Sequence, residues 1–167
     1  MIEWLHRPFL YCVLHHHHSS QRHPPSSLPT DVPPTIAIAT RKLAQRGVDA
    51  SAALIRLVAA HHRHGGIWGL VRRSFGCALL LVAVATTHHH HQHQHREGDD
   101  DDDDDGVEVF TCVRPPHDWA RLARLAAATA RRWEGPGTRD LAWMRRTLEG
   151  LVDAAEASMS TGSGSPA

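Results

Sequence analysis

The chain has 167 residues, 18 Lys/Arg against 18 Asp/Glu, 41% hydrophobic residues and 5% aromatic. That length suits one domain, and the balanced charge excludes the broad basic footprint of a nucleic-acid binder. The three cysteines, Cys12, Cys77 and Cys112, are widely spaced with no C-x-x-C pair, which excludes a disulfide framework and a zinc signature.

Residues 1–14 read as the end of a helix. The apolar run Phe9–Leu14 is short for a signal peptide and has Glu3 before it. Residues 15–34, rich in Ser, Pro and His, read as a disordered linker. Residues 35–87 read as a helical segment. Thr35, after Pro33-Pro34, is a candidate N-cap for a helix that Gly47 stops near Arg46. Asp49 is a candidate cap for a second helix, from about Ala50 to Arg63, with Leu54, Ile55, Leu57 and Val58 inward. Lys42 to Leu57 has the outline of a helix-turn-helix, and a helical hairpin turn explains the same residues.

Ile67 to Thr87 is apolar enough to raise a membrane span, yet Arg72 and Arg73 interrupt it. Its uncharged part, from Ser74 to Thr87, rises about 21 Å as a helix, against about 30 Å of hydrocarbon. A buried core helix is the expectation. Residues 88–106 carry the His and Asp runs and read as a disordered loop that buries no apolar surface. Residues 107–159 read as a C-terminal helical hairpin and 160–167 as a disordered tail. Within the first of these, Val107 to Val113 alternates like a strand but has no partner. Asp118 can cap a helix whose stripe is Trp119, Leu122, Ala126, Ala130 and Trp133, with Arg121, Arg124, Arg131 and Arg132 opposite. Glu134-Gly135-Pro136-Gly137 breaks the chain. Thr138 can cap the last helix, with Leu141, Met144, Leu148, Leu151, Val152, Ala155 and Met159 on one stripe. The fold class is all-α: a helical array ending in an antiparallel αα-hairpin, with disordered low-complexity loops.

No G-x-S-x-G, H-E-x-x-H, P-loop or G-x-G-x-x-G is present, so no catalytic or cofactor-binding residue is expected. The histidine runs His15–His18 and His88–His95 could ligate zinc or copper. A flexible homopolymer supplies no fixed geometry, so incidental repeats are the plainer reading and no metal site is expected. Asp99–Asp105 lacks the alternation and glycine of an ordered calcium loop and reads as a solvated spacer. Trp143 lies off the α-helical stripe, between Arg139 and Arg146. These three residues are the candidate protein-contact site, and packing of Trp143 against another helix of the same domain is the competing reading.

Four segments in order carry a resemblance. Leu5-His6-Arg7-Pro8-Phe9-Leu10-Tyr11, ending in Leu14-His15-His16, comes first. His61-His62-Arg63-His64-Gly65-Gly66-Ile67-Trp68 then leads into Val71-Arg72-Arg73-Ser74-Phe75-Gly76-Cys77-Ala78-Leu79-Leu80-Leu81. Trp119 to Trp133 and Arg139-Asp140-Leu141-Ala142-Trp143-Met144 through Leu148-Glu149 follow. Together they resemble the C-terminal portion of the fungal-specific regulatory (middle homology) domain of zinc-cluster transcription factors. The resemblance implies a helical Ile67–Thr87, a loop or short extended piece at Val107–Val113, a nuclear location and a role in regulating transcription. It implies no cofactor in this chain, because zinc belongs to the family's six-cysteine DNA-binding module, which this sequence lacks. The implied partners are other proteins or a homodimer partner. DNA would enter only through a zinc-cluster module supplied upstream, and no membrane is implied. The expectation is therefore a non-catalytic fragment of a regulatory domain, a truncated product or a stand-alone remnant. The alternatives are a small membrane-associated protein anchored by residues 67–87, or a His/Asp-rich metal-buffering protein.

Overall fold

Pro34 opens a long helix, since a proline at the first helical position has no amide to leave unpaired and a backbone angle already set for the helix. The structure is a computed structural model describing residues 6–12, 14, 34–60, 66–97 and 113–161. Five helices and no strand are found among these residues. They are α1 (residues 6–12), α2 (Pro34–Ala60), α3 (Ile67–Glu97), α4 (Trp119–Arg132) and α5 (Arg139–Thr161). The all-α class expected from the periodicity is therefore the class observed. The strand pattern of residues 107–112, the linker residues 15–33 and the tail residues 162–167 lie outside the described residues; Pro34, read as the end of the linker, and Ser160 and Thr161, read as the start of the tail, are helical instead.

The sequence reading of residues 35–63 as two helices is corrected: α2 is unbroken from Pro34 to Ala60. Thr35 lies inside its first turn, and Asp49 lies mid-helix, where its carboxylate accepts a hydrogen bond from the Gln45 side chain at 3.1 Å. No turn exists at Gly47, so neither a helical hairpin nor a helix-turn-helix is formed there. Gly47 has a different role. A β-carbon on it would lie 2.7 Å from the His6 β-carbon and 2.9 Å from Leu10 Cδ1. The missing side chain is what lets α1 rest on α2.

α3 packs against α2, α4 and α5. Its buried residues include Val71, Ser74, Cys77, Ala78, Leu81, Val82, Val84 and Ala85. Among the described residues it is one helix long and apolar enough to cross a membrane. The apolar residues that give it that character line a protein interior on several sides. The main core joins Leu10, Val48, Ile55, Cys77, Leu81, Leu122, Leu148 and Val152, one or more from each helix. A smaller cluster gathers Val58, Ile67, Val71, Ala130 and Leu141, with Trp68 edge-on to Trp133 at 6.1 Å beside it. Leu57, expected inward, is exposed. It follows Ile55 by two positions, which turns it to the far side of the helix.

α4 and α5 form the antiparallel hairpin. Arg124, early in α4, donates to Asp153 and Glu156 late in α5, at 3.0 and 2.5 Å. Glu134, just past α4, pairs with Arg145 early in α5 at 2.6 Å. Pairing the beginning of one helix with the end of the other is the antiparallel pattern. Leu122, Ala126, Ala130, Leu141, Leu148, Val152 and Ala155 are buried as their stripes require, while Leu151 is exposed. The face carrying Arg124 is more than a solvated surface, because it also ties the two helices together. Neither expected cap acts by its side chain. The Thr138 hydroxyl instead closes the inter-helix turn, accepting from the Gly135 amide at 2.7 Å.

Asp118 makes no side-chain cap bond to α4. Its carboxylate receives Arg56 from α2 on both oxygens at 3.1 Å, and Arg121 at 3.0 Å. Burial pushes this carboxyl up, but the hydrogen bonds from Arg121 and Arg56 outweigh it and leave the pKa below the ordinary carboxylate value. A depressed folded-state pKa contributes stability above the unfolded value, near 4, and that contribution is lost as pH falls through the folded value. Asp118→Asn should cost about 1 kcal/mol at pH 7, since Arg56 and Arg121 are largely exposed. Urea melts across pH 2–7, as a range of about 5 pH units, should show the gap between the two proteins closing at the acid end.

Val113, buried at the entry to α4, is held by a side-chain clamp. Gln45 donates to the Arg114 carbonyl at 3.1 Å and accepts from the Arg114 amide at 2.9 Å. One amide side chain thus satisfies both backbone groups of a residue that lies outside any helix.

α3 also departs from expectation at its far end. Residues 88–97, read as the start of a disordered loop, continue the helix to Glu97. Histidine is only a mediocre helix former, but the preceding buried turns supply a nucleus, so each further residue adds a bond at little cost.

Candidate interaction surface

Two places in the fold gather chemistry-bearing side chains. The first is the outer face of α5. Arg139, Trp143 and Arg146 occupy positions i, i+4 and i+7, which share one helical face. All three are exposed, Trp143 at 55%. The indole is not adrift: it meets the ring of Phe75 on α3 at 5.6 Å between centroids, tilted by 56°. Trp143 thus makes the intramolecular packing contact that the competing reading expected, while staying partly exposed. One side packs on another helix of the same domain and the other faces solvent.

An ion pair joins the same two helices about one turn before Trp143. Arg72 on α3 donates to Asp140 Oδ2 through Nη2 at 2.6 Å and Nε at 3.0 Å. These hydrogen bonds hold the Asp140 carboxyl below its ordinary pKa. Asp140 also lies in the first turn of α5, where the helix dipole favours a negative charge. The pair pins the beginning of α5 to α3, and Trp143 meets Phe75 one turn further on. The result is an aromatic ledge with Arg139 and Arg146 on the same helix face. Phe75 was missed as a member of this site, since its spacing from Trp143 in sequence carries no signal.

The second place is interior. Cys77 is fully buried, and Ser51 and Ser74 are buried near the same level. Ser51 donates to the Gly47 carbonyl at 2.8 Å. Burial pushes the Cys77 thiol up, and Ser51 and the charges of Arg7 and Arg73 only partly oppose this. Such burial disfavours the thiolate, the nucleophilic form of cysteine. Among the described residues, no three or more of His, Cys, Asp and Glu are gathered to hold a metal ion.

The fold and this surface define a class: an all-α bundle with an exposed aromatic residue flanked by arginines on a pinned helix. No protein-family model, no curated protein and no solved structure matches the chain.

Proposed function

We propose that this chain is a non-catalytic regulatory module that acts through protein contacts, and that the Arg139–Trp143–Arg146 face is where a partner binds. The observation that carries the reading is the half-seated, half-exposed Trp143. Tryptophan and arginine are the residues enriched where interfaces concentrate their energy, and an indole already seated against Phe75 loses less freedom on binding. The segments that resemble the fungal-specific regulatory domain support a role in regulating transcription in the nucleus, and they include this face. Packing of α3 against three neighbouring helices supports a core role for it over a membrane anchor.

The test is a reporter assay. The whole chain is fused to a heterologous DNA-binding module and expressed in fungal cells carrying the matching reporter gene. The expected result is a change in reporter output that Trp143→Ala reduces at least by about fivefold, the scale of losing about 1 kcal/mol or more at an anchor residue. Circular dichroism of the purified variant should match the parent. A folded, nuclear fusion that leaves the reporter unchanged overturns the regulatory reading. A reporter response that Trp143→Ala leaves intact overturns the assignment of the surface.

A further inference from the structure

α5 buries one side and leaves the other bare. Leu141, Leu148, Val152 and Ala155 face the core. On the opposite side Arg139, Trp143, Arg146, Gly150, Asp153 and Ala157 follow one another at spacings of four, three, four, three and four residues, and all six are exposed. That alternation is the 3.5-residue repeat of a seam between two helices.

The bare side is also polarised in charge. Its first half carries Arg139 and Arg146, which form no ion pair among the described residues. Its second half carries Asp153, whose side chain is 66% exposed even while paired with Arg124. The last turn of α5 has no basic residue, so the negative pole of the helix has no cation of its own. A partner that suits both halves is acidic opposite the arginines and basic opposite Asp153 and the pole. An antiparallel second copy of α5 has that pattern.

A two-fold axis at Gly150 gives the register, because residues equally far before and after it then face each other. Trp143 lies across from Ala157 of the second copy, a large ring over a small residue. Arg146 lies across from Ala154, beside Asp153, and Arg139 across from Thr161 at the negative pole. At the crossing, Gly150 has open space where a β-carbon would stand, and its lack of one lets the two backbones approach. α5 has 23 residues and is about 35 Å long, so a single helix face buries less than the roughly 800 Å² per partner of a standard interface. The association is therefore weak and depends on concentration.

We propose that the Arg139–Trp143–Arg146 face binds a second copy of this chain, through an antiparallel, isologous contact between two α5 helices centred on Gly150. This rests on the reading of that face as a contact surface and names its partner.

The experiment follows the mass of the full chain by sedimentation velocity from about 1 µM to about 1 mM, which covers weak affinities. The expected result is a monomer that becomes a dimer as concentration rises. Arg146→Glu sets like charge against Asp153 of the second copy, and Asp153→Lys sets like charge against its Arg146. Each should weaken the dimer by about tenfold or more, and the two together should return it to within about threefold of the parent. Circular dichroism should show all three variants folded. Register is read by oxidation with oxidised glutathione in a Cys12→Ser, Cys112→Ser background. Gly150→Cys meets its own symmetry mate and should give a disulfide-linked dimer. Ala157→Cys lies about 21 Å from its mate, beyond the roughly 7 Å that a disulfide spans, and should not. A chain that stays monomeric throughout overturns the proposal, as does a double variant no tighter than the singles or equal cross-linking at the two cysteines. A monomeric chain whose reporter output still falls with Trp143→Ala leaves the regulatory reading standing and assigns the face to a different protein.

Discussion

Leu148→Asp should destabilise the bundle by about 3–5 kcal/mol, because it places an unpaired carboxylate where no water reaches. Leu148 is 1% exposed and is packed in the main core with Leu122, Ala126 and Val152. A domain has about 5–15 kcal/mol in total, so the variant should lose its cooperative urea transition or shift it far downward. Arg124→Asp supplies the contrast. It removes two surface ion pairs and sets a third carboxylate near Asp153 and Glu156. The arginine is half exposed and its partners are too, so the cost should be about 1 kcal/mol and should shrink as salt is added. Urea melts of both variants at low and high salt decide the matter. Equal effects would mean that the α4–α5 seam has been assigned to the wrong face.

Gly47→Ala is expected to destabilise, against the usual sign of that substitution. In an exposed helix interior, alanine is better than glycine by about 0.5–1 kcal/mol. At Gly47 the new methyl would lie 2.7 Å from the His6 β-carbon, which is no flexible side-chain tip but is fixed to the α1 backbone. Something must move, and the expected net cost is about 1–3 kcal/mol, the range for overpacked cores. Gly150→Ala, in the middle of α5 with nothing within 4 Å of the added carbon, should instead stabilise by up to about 1 kcal/mol. Opposite shifts in the thermal midpoints of the two variants are the measured outcome. A stabilising Gly47→Ala would mean that α1 does not rest on α2.

These two cases also mark what was legible in the sequence. The α4 and α5 stripes could be read because Leu122, Ala126, Leu141, Leu148 and Val152 recur at the helical period and a Gly/Pro turn separates them. Gly47 could not. A glycine between two apolar stretches reads as a stop, and only the approach of α1, distant in sequence, gives the other reason for it. Leu57 and Leu151 show the same limit on a smaller scale: a residue at the edge of a stripe faces in or out according to which neighbour arrives. The helical 88–97 segment was hidden because composition argued for coil, whereas continuity from the packed part of α3 argues for helix. That Arg139, Trp143 and Arg146 share one helix face was legible from their spacing, but Phe75, which meets the indole, belongs to another helix.

Cys77 and Cys12 give the molecule a built-in pair of clocks. Cys12 is exposed and Cys77 is fully enclosed, with its thiol further quieted by burial. In a Cys112→Ser background, a small thiol-reactive dye would label one site at once. It would reach the other only when α3 comes away from the helices packed on it. The slow phase then measures the rate or frequency of that opening, according to whether labelling or reclosing is faster. Because Cys77 shares its core with residues from all five helices, its labelling reports on the bundle as a whole and not on one frayed end.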